Sequence, residues 1–438
     1  CLFELEDVVM SEDRKLRIGS SKSAGSFVST LSGNTGTGFQ AGSHVHKDWW
    51  AKTRALTDVR QEAEVAHENR EDVFVKASDL QGQVRCREDQ FYFALAVGAT
   101  SDGRGGDFYR PNNWSLGGLS SKIGIPSSVF MSKLNSVAGF DRQDAQIMAD
   151  LTNNCLRRVP SDKVFRLRTE YQTVGLGDFP SAARHHCRAF LSDRFTAIDN
   201  RWYLDQLIKI VPEARVSHWR GDGDTISGNL LLPDTIIDYG QDDDTDYGGM
   251  ISVNNSEIGD GTLGQWPSLF RAICMNGCIW GATEGSRLSQ VHRGDIDLSV
   301  LAENIESNIT DQLSLFPVAV RQFLGTREFG ITRTGVKTVI ASVANDRKVV
   351  DGLVPFTRRE VSEVYDQWLR HESDHNTLFG VINAVTRAGQ TMPSKRWVTL
   401  DRVGGRLSQF SQDDWVRVLV RARGYTTRDL TKIYATAN

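Results

Sequence analysis

Three kinds of residue grouping in this chain could do chemistry. The first is basic and aromatic: Val164-Phe-Arg-Leu-Arg-Thr169, then Arg188 and Arg194, then His218-Trp219-Arg220. Arginine neutralises phosphate and a flat apolar ring stacks on a base, so basic tracks beside aromatic platforms suit single-stranded nucleic acid. On a strand, alternation sets Val164, Arg166 and Arg168 on one face and Phe165 with Leu167 on the other. The candidate nucleic-acid contacts are therefore Arg166, Arg168, Arg188, Arg194 and Arg220, with Trp219 as a stacking platform. A core role for Trp219 and Phe190, with arginine stems running past them, fits the same residues.

The second grouping is acidic. Gly221-Asp-Gly-Asp224 and the run from Asp242 to Asp246 could offer hard oxygen ligands to magnesium or calcium. Hairpin tips have the same composition and need no ion, and a calcium loop with its terminal Glu is missing. The third grouping is of thiols and imidazoles. Cys274-Met-Asn-Gly-Cys278 with His185-His-Cys187 could complete a zinc site. As small apolar residues beside Phe270 and Trp280 the same cysteines suit a reduced core, and metal-free thiols are expected. His292-Arg-Gly-Asp295 and His371-Glu-Ser-Asp374-His375 have catalytic residue types, but the second also suits a helix end. No phosphate loop and no Gly-x-Ser-x-Gly occurs. No cofactor is called for, and the expected chemistry is non-covalent rather than enzymatic.

The elements that must position these residues divide the chain in three. From Gly19 to Gly42, Gly, Ser and Thr dominate without apolar periodicity, so residues 1–45 are expected to form a flexible arm. Residues 46–294 are expected to form an α+β core, an antiparallel, strand-rich body with packed helices. Its predicted strands include Val73–Ala77, Phe91–Val97, Val164–Thr169, Val216–Trp219, Ile226–Leu232 and Met250–Val253, with helices around Trp114–Leu134 and Arg201–Val211. Residues 295–438 are expected to be helical, with helices over Ile296–Phe316 and Arg358–Arg370 punctuated by Pro317 and Pro355. At 438 residues, 39% hydrophobic and 24% charged, the chain has too much apolar content for wholesale disorder. No apolar run reaches the roughly 18 residues of a membrane span. No charged-then-apolar leader opens the chain, which starts on Cys1 rather than Met.

Charge is polarised along this frame. Residues 155–201 hold nine Arg/Lys against five Asp/Glu, residues 220–262 one against ten, and residues 385–438 ten against four. The formal net charge of −4 excludes a uniformly basic coat, but the alternation suits anion binding or head-to-tail contacts between identical subunits. Six cysteines are too few for a disulfide scaffold, so a reducing cytoplasm is expected.

Several stretches in order carry a resemblance. They are Trp114-Ser-Leu-Gly-Gly-Leu119 with Gly124-Ile-Pro126, Cys187-Arg-Ala-Phe-Leu-Ser-Asp-Arg194 with Ile198-Asp-Asn200, and Val253-Asn-Asn-Ser-Glu-Ile-Gly259. Leu269-Phe-Arg-Ala-Ile-Cys-Met-Asn-Gly-Cys278, Val291-His-Arg-Gly294 and Asn383-Ala-Val-Thr386 follow. This order resembles the phage/plasmid-like protein family, a family of unknown function, from about Trp114 to Thr386. Where that family has Gly-Tyr-Gly, this chain reads Gly259-Asp-Gly261. The resemblance implies a mobile-element setting and a host-cell cytoplasm. Its element order is similar, by analogy, to phage single-strand annealing proteins, which assemble into rings or filaments and hold single-stranded DNA in a basic groove. The expected function is accordingly single-stranded DNA binding and annealing by a homo-oligomer, away from any membrane. A structural or assembly protein of a phage particle is the alternative, and a metal-dependent enzyme a third.

Overall fold

Period-two alternation of apolar residues recurs between Arg54 and Gln290 and builds two sheets. The computed structural model describes residues 53–434 except 88–89, 99–105, 127, 129–141, 173–183, 239–245, 272–275, 280–287, 351, 352, 354 and 374–375. The proposed arm, the Asp242–Asp246 turn, the helix after Pro126 and the side chains of Cys274 and Cys278 lie outside the described residues.

A short strand β1 (Arg54–Ala55) leads into α1 (Leu56–Glu68). Strands β2 (Arg70–Lys76), β3 (Leu80–Arg87), β4 (Gln90–Val97) and β5 (Asp107–Pro111) run into α2 (Asn113–Ile123). Then come α3 (Arg142–Leu156), β6 (Val164–Gln172), β7 (Arg184–Ser192) and α4 (Asn200–Ile210). Strands β8 (Arg215–Gly221), β9 (Thr225–Asp238), β10 (Asp246–Ser256), β11 (Leu263–Arg271), β12 (Asn276–Ile279) and β13 (Leu288–Gln290) complete the strand-rich part. The six-stranded sheet has the order β2-β6-β7-β5-β4-β3, antiparallel except where β5 lies parallel to β7. The seven-stranded sheet has the order β1-β8-β9-β10-β11-β12, with β13 also pairing β11.

Each sheet buries one face under helices. On the six-stranded sheet Phe165, Leu167, Phe190, Phe93 and Leu95 pack against Leu116 and Leu119 of α2 and Met148 of α3. Asn112 caps α2 by accepting from the Ser115 N–H, and Gly124, at φ 77°, ends it. Helix α2 approaches β7 so closely that a Cβ on Gly118 would stand 2.4 Å from the Phe190 carbonyl oxygen. On the seven-stranded sheet Leu230, Ile251 and Val253 meet Leu56 of α1, Leu204 and Leu207 of α4, and Leu301 and Ile305 of the next helix.

That next helix is α5 (Leu298–Gly325), capped by Asp297, and beyond it the described chain is helical. Helices α6 (Val336–Ala344), α7 (Arg347–Val350), α8 (Arg358–His371), α9 (Leu378–Gln390), α10 (Ser394–Ser408), α11 (Gln412–Arg423) and α12 (Thr427–Ile433) pack around Trp368, Phe379 and Trp415. The fold is thus α+β with a helical C-terminal region, as the sequence predicts. Pro317 corrects one expectation, since it lies inside α5 rather than ending it. Buried Phe316, Ala319 and Val320 hold the helix on both sides of that missing backbone donor. Helix α1 was not legible because only Leu56 and Val59 of its thirteen residues are buried.

Candidate nucleic-acid interface

The register of the six-stranded sheet fixes which side chains share its second face, the one without α2 and α3. Asp72 lies opposite Arg168, Phe74 opposite Arg166 and Arg70 opposite Glu170. His186 lies opposite Glu170 and, on its other side, Arg110. Tyr92 lies opposite Arg85, and Phe108 opposite Ala96. One face therefore carries arginines from edge to edge, and its two halves have different fates.

The β2–β6–β7 half is closed against the seven-stranded sheet by an ionic cluster. Glu257, at the end of β10 and 1% exposed, accepts from Arg70 at 2.6 Å, from Arg188 at 3.2 Å and from the Asn200 backbone N–H at 2.8 Å. Arg168 donates to Asp72 at 3.0 Å, to Asp199 at 2.5 Å and to the Glu257 carbonyl at 2.8 Å. Arg166 pairs with Asp72 and donates to the Phe195 carbonyl, and Arg188 also pairs with Asp224. Four arginines thus meet four carboxylates, which is the arrangement that makes buried charge tolerable. Burial alone would lower the Arg168 pKa, but Asp199, Asp72 and Glu257 raise it overall. Burial would raise Asp199, and Arg168 instead holds it below the usual carboxylate range. For Arg70 burial outweighs Glu257 and its pKa is lowered.

These placements decide the sequence-derived contacts one by one. Phe165 and Leu167 are fully buried and Arg166 and Arg168 face the other way, so the strand phase is as expected. The track itself is not formed by these residues. Arg168 and Arg188 are both 3% exposed and, with Arg166, are spent on carboxylates from Asp72, Asp199, Asp224 and Glu257. Arg194 is exposed just beyond β7. Trp219 is half-buried and packs on the core of the seven-stranded sheet. Arg220 donates to the Met392 and Gln390 carbonyls and lies over the Trp397 ring at 5.4 Å, tying β8 to α9 and α10. The Gly221–Asp224 turn is a hairpin tip: Asp222 accepts from the Asp224 and Thr225 N–H groups, and Asp224 pairs with Arg188. Among the described residues no group of three or more His, Cys, Asp or Glu is placed to hold a metal ion. Nor is any described helix long and apolar enough to cross a membrane.

The β3–β4–β5 half is different. Arg85 is exposed and lies 3.9 Å over the Phe108 ring, and Arg110 is exposed and lies 5.4 Å over the Tyr92 ring. Ala94 and Ala96, between them on β4, are small enough to let Arg85 reach across to β5. Among the described residues no carboxylate pairs with Arg85 or Arg110. Both rings are half-buried, so each is fixed and still partly open.

A cavity of about 520 Å³ opens beside them. The β4–β5 ladder spans only Leu95–Val97 against Asp107–Tyr109, and the cavity lies where the strands part. Its rim is Tyr92, Arg110, Trp114 and His186, and its floor is Phe93 and Leu116. Trp114 donates its indole N–H to the Ile258 carbonyl at 2.9 Å, which fixes the ring while leaving it 42% exposed. The His186 Nε2 atom is buried without a hydrogen-bond partner. Burial, then Arg110, lowers the His186 pKa, so the ring is neutral near pH 7.

Sequence reading missed Arg85, Tyr92, Phe108 and Arg110. A signal was present: Tyr92-Phe-Ala-Leu-Ala96 and Phe108-Tyr-Arg110 alternate so that ring, methyl and guanidinium share one face. Two of the stretches that carry the resemblance, Cys187–Asn200 and Val253–Gly259, instead meet at the closed half, where Arg188, Asn200 and Glu257 interlock. Comparison with family models, curated proteins and solved structures gave no match to the chain.

Proposed function

We propose that the chain binds single-stranded DNA and promotes annealing, holding one strand along the open half of the six-stranded sheet without covalent chemistry. The observation that carries this reading is the pair of exposed arginines, Arg85 and Arg110, resting on Phe108 and Tyr92 with no carboxylate paired to them among the described residues. Cations over rings supply both parts of single-strand recognition, phosphate attraction and a flat stacking surface. The basic and acidic blocks along the chain support assembly of identical subunits into a ring or filament. Cys86, Cys155 and Cys187 are free thiols, in keeping with work in the cytoplasm of a host cell.

Fluorescence anisotropy with a labelled oligonucleotide across a salt series tests this. Log affinity should fall linearly with log salt, and Arg85→Ala with Arg110→Ala should flatten the slope by about 1.4, roughly 0.7 per phosphate contact. Arg166→Ala with Arg168→Ala should leave the slope alone and lower the melting temperature, because those guanidinium groups pair internally. A wild-type protein that binds no strand at low salt would end the proposal. So would an Arg85/Arg110 variant with wild-type affinity and slope.

A further inference from the structure

We infer that the cavity where β4 and β5 part receives one unstacked nucleobase of the bound strand; this rests on the single-strand reading above. Its volume, about 520 Å³, lies within the roughly 300–1,000 Å³ of small-ligand sites and holds a base with its sugar. Tyr92 and Trp114 bring aromatic surface to the rim, and Phe93 and Leu116 make the floor apolar, so a base gains by leaving water. Arg110 stands at the same rim, where the phosphate next to an inserted base would lie. The buried His186 Nε2 lacks a partner, and a heteroatom on the base edge supplies one. A neutral imidazole can serve as donor or acceptor there, according to its tautomer. Asn113, exposed at the first turn of α2, adds an amide at the rim. An open groove needs none of this depth: phosphate neutralisation and surface stacking alone would leave the cavity, the unpartnered His186 nitrogen and the fixed indole unused.

The test compares two strands of equal length, one an ordinary oligodeoxynucleotide and the other with every base removed. They are titrated into the wild-type protein and into Asn113→Trp, which fills the mouth of the cavity from an exposed position. The wild type should bind the ordinary strand at least about fivefold more tightly than the abasic one. In Asn113→Trp that ratio should fall clearly, with only stacking on the open sheet face left to favour the ordinary strand. Equal affinity of the wild type for both strands would overturn base insertion while leaving phosphate-driven binding intact. A ratio that persists undiminished in Asn113→Trp would place the bases elsewhere and overturn it too. If neither strand binds at low salt, the single-strand reading fails and base insertion falls with it.

Discussion

His292 illustrates how much one side chain's surroundings decide. It is 4% exposed, stacked on Phe195 with centroids 5.4 Å apart, and its Nδ1 lies 3.3 Å from the Thr196 carbonyl. Burial pushes its pKa down to about 4, against 6.5 for a free imidazole. The unfolded chain therefore binds the extra proton between pH 6.5 and 4, and the folded chain does not. Stability is complete above pH 6.5 and is lost as pH falls through that window, by at most about 3 kcal/mol. Asp199 and Glu360 have depressed pKa values, so their contribution is present above the unfolded carboxylate pKa and is lost only below it, near pH 4. His186, lowered by burial, adds to the upper window. Thermal melts between pH 7 and 4.5 should show a falling midpoint, with a shallower fall in His292→Phe. Identical slopes for the two proteins would contradict this account.

At the scale of elements, two adjacent glycines in α2 make opposite demands. Helix propensity alone favours alanine over glycine by roughly 0.5–1 kcal/mol. A Cβ on Gly117 would meet nothing within 4 Å, so Gly117→Ala should raise stability by about that amount. A Cβ on Gly118 would meet the Phe190 carbonyl at 2.4 Å, and neither the helix nor the sheet backbone can yield cheaply. Gly118→Ala should therefore cost about 1–3 kcal/mol by forcing α2 off β7. Urea denaturation of the two variants decides the matter, since equal effects of the same sign would mean that helix–sheet distance is not set here. The Gly-Gly pair was visible in the sequence. Which glycine faced the sheet was not, because that depends on the rotation of α2 over β7.

For the whole molecule, the ionic cluster joins the two sheets. Arg70, Arg166, Arg168 and Arg188 come from the six-stranded sheet, while Glu257 follows β10, Asp199 precedes α4 and Asp224 lies in the β8–β9 turn. Glu257→Gln keeps the shape but leaves Arg70 and Arg188 buried with Asp224 as their remaining ion-pair partner among the described residues. Removing one member of a buried ion pair costs about 3–5 kcal/mol, so a clear drop in melting temperature is expected. A variant melting with the wild type would mean that the cluster contributes nothing to holding the sheets together.

What the sequence determined by itself was local: the α+β class, the phase of β6 and the helical C-terminal region. Alternation and helical spacing need only neighbouring residues to be read. The fate of each arginine was decided by tertiary structure. Arg166 meets an Asp 94 positions away and Arg70 a Glu 187 positions away. Arg85 and Arg110 lie on the same sheet face, at the end where the described structure brings no carboxylate. A guanidinium looks the same in a sequence whether an anion waits for it inside the fold or in solution; the difference lies in which distant segments the packing of two sheets brings within 4 Å.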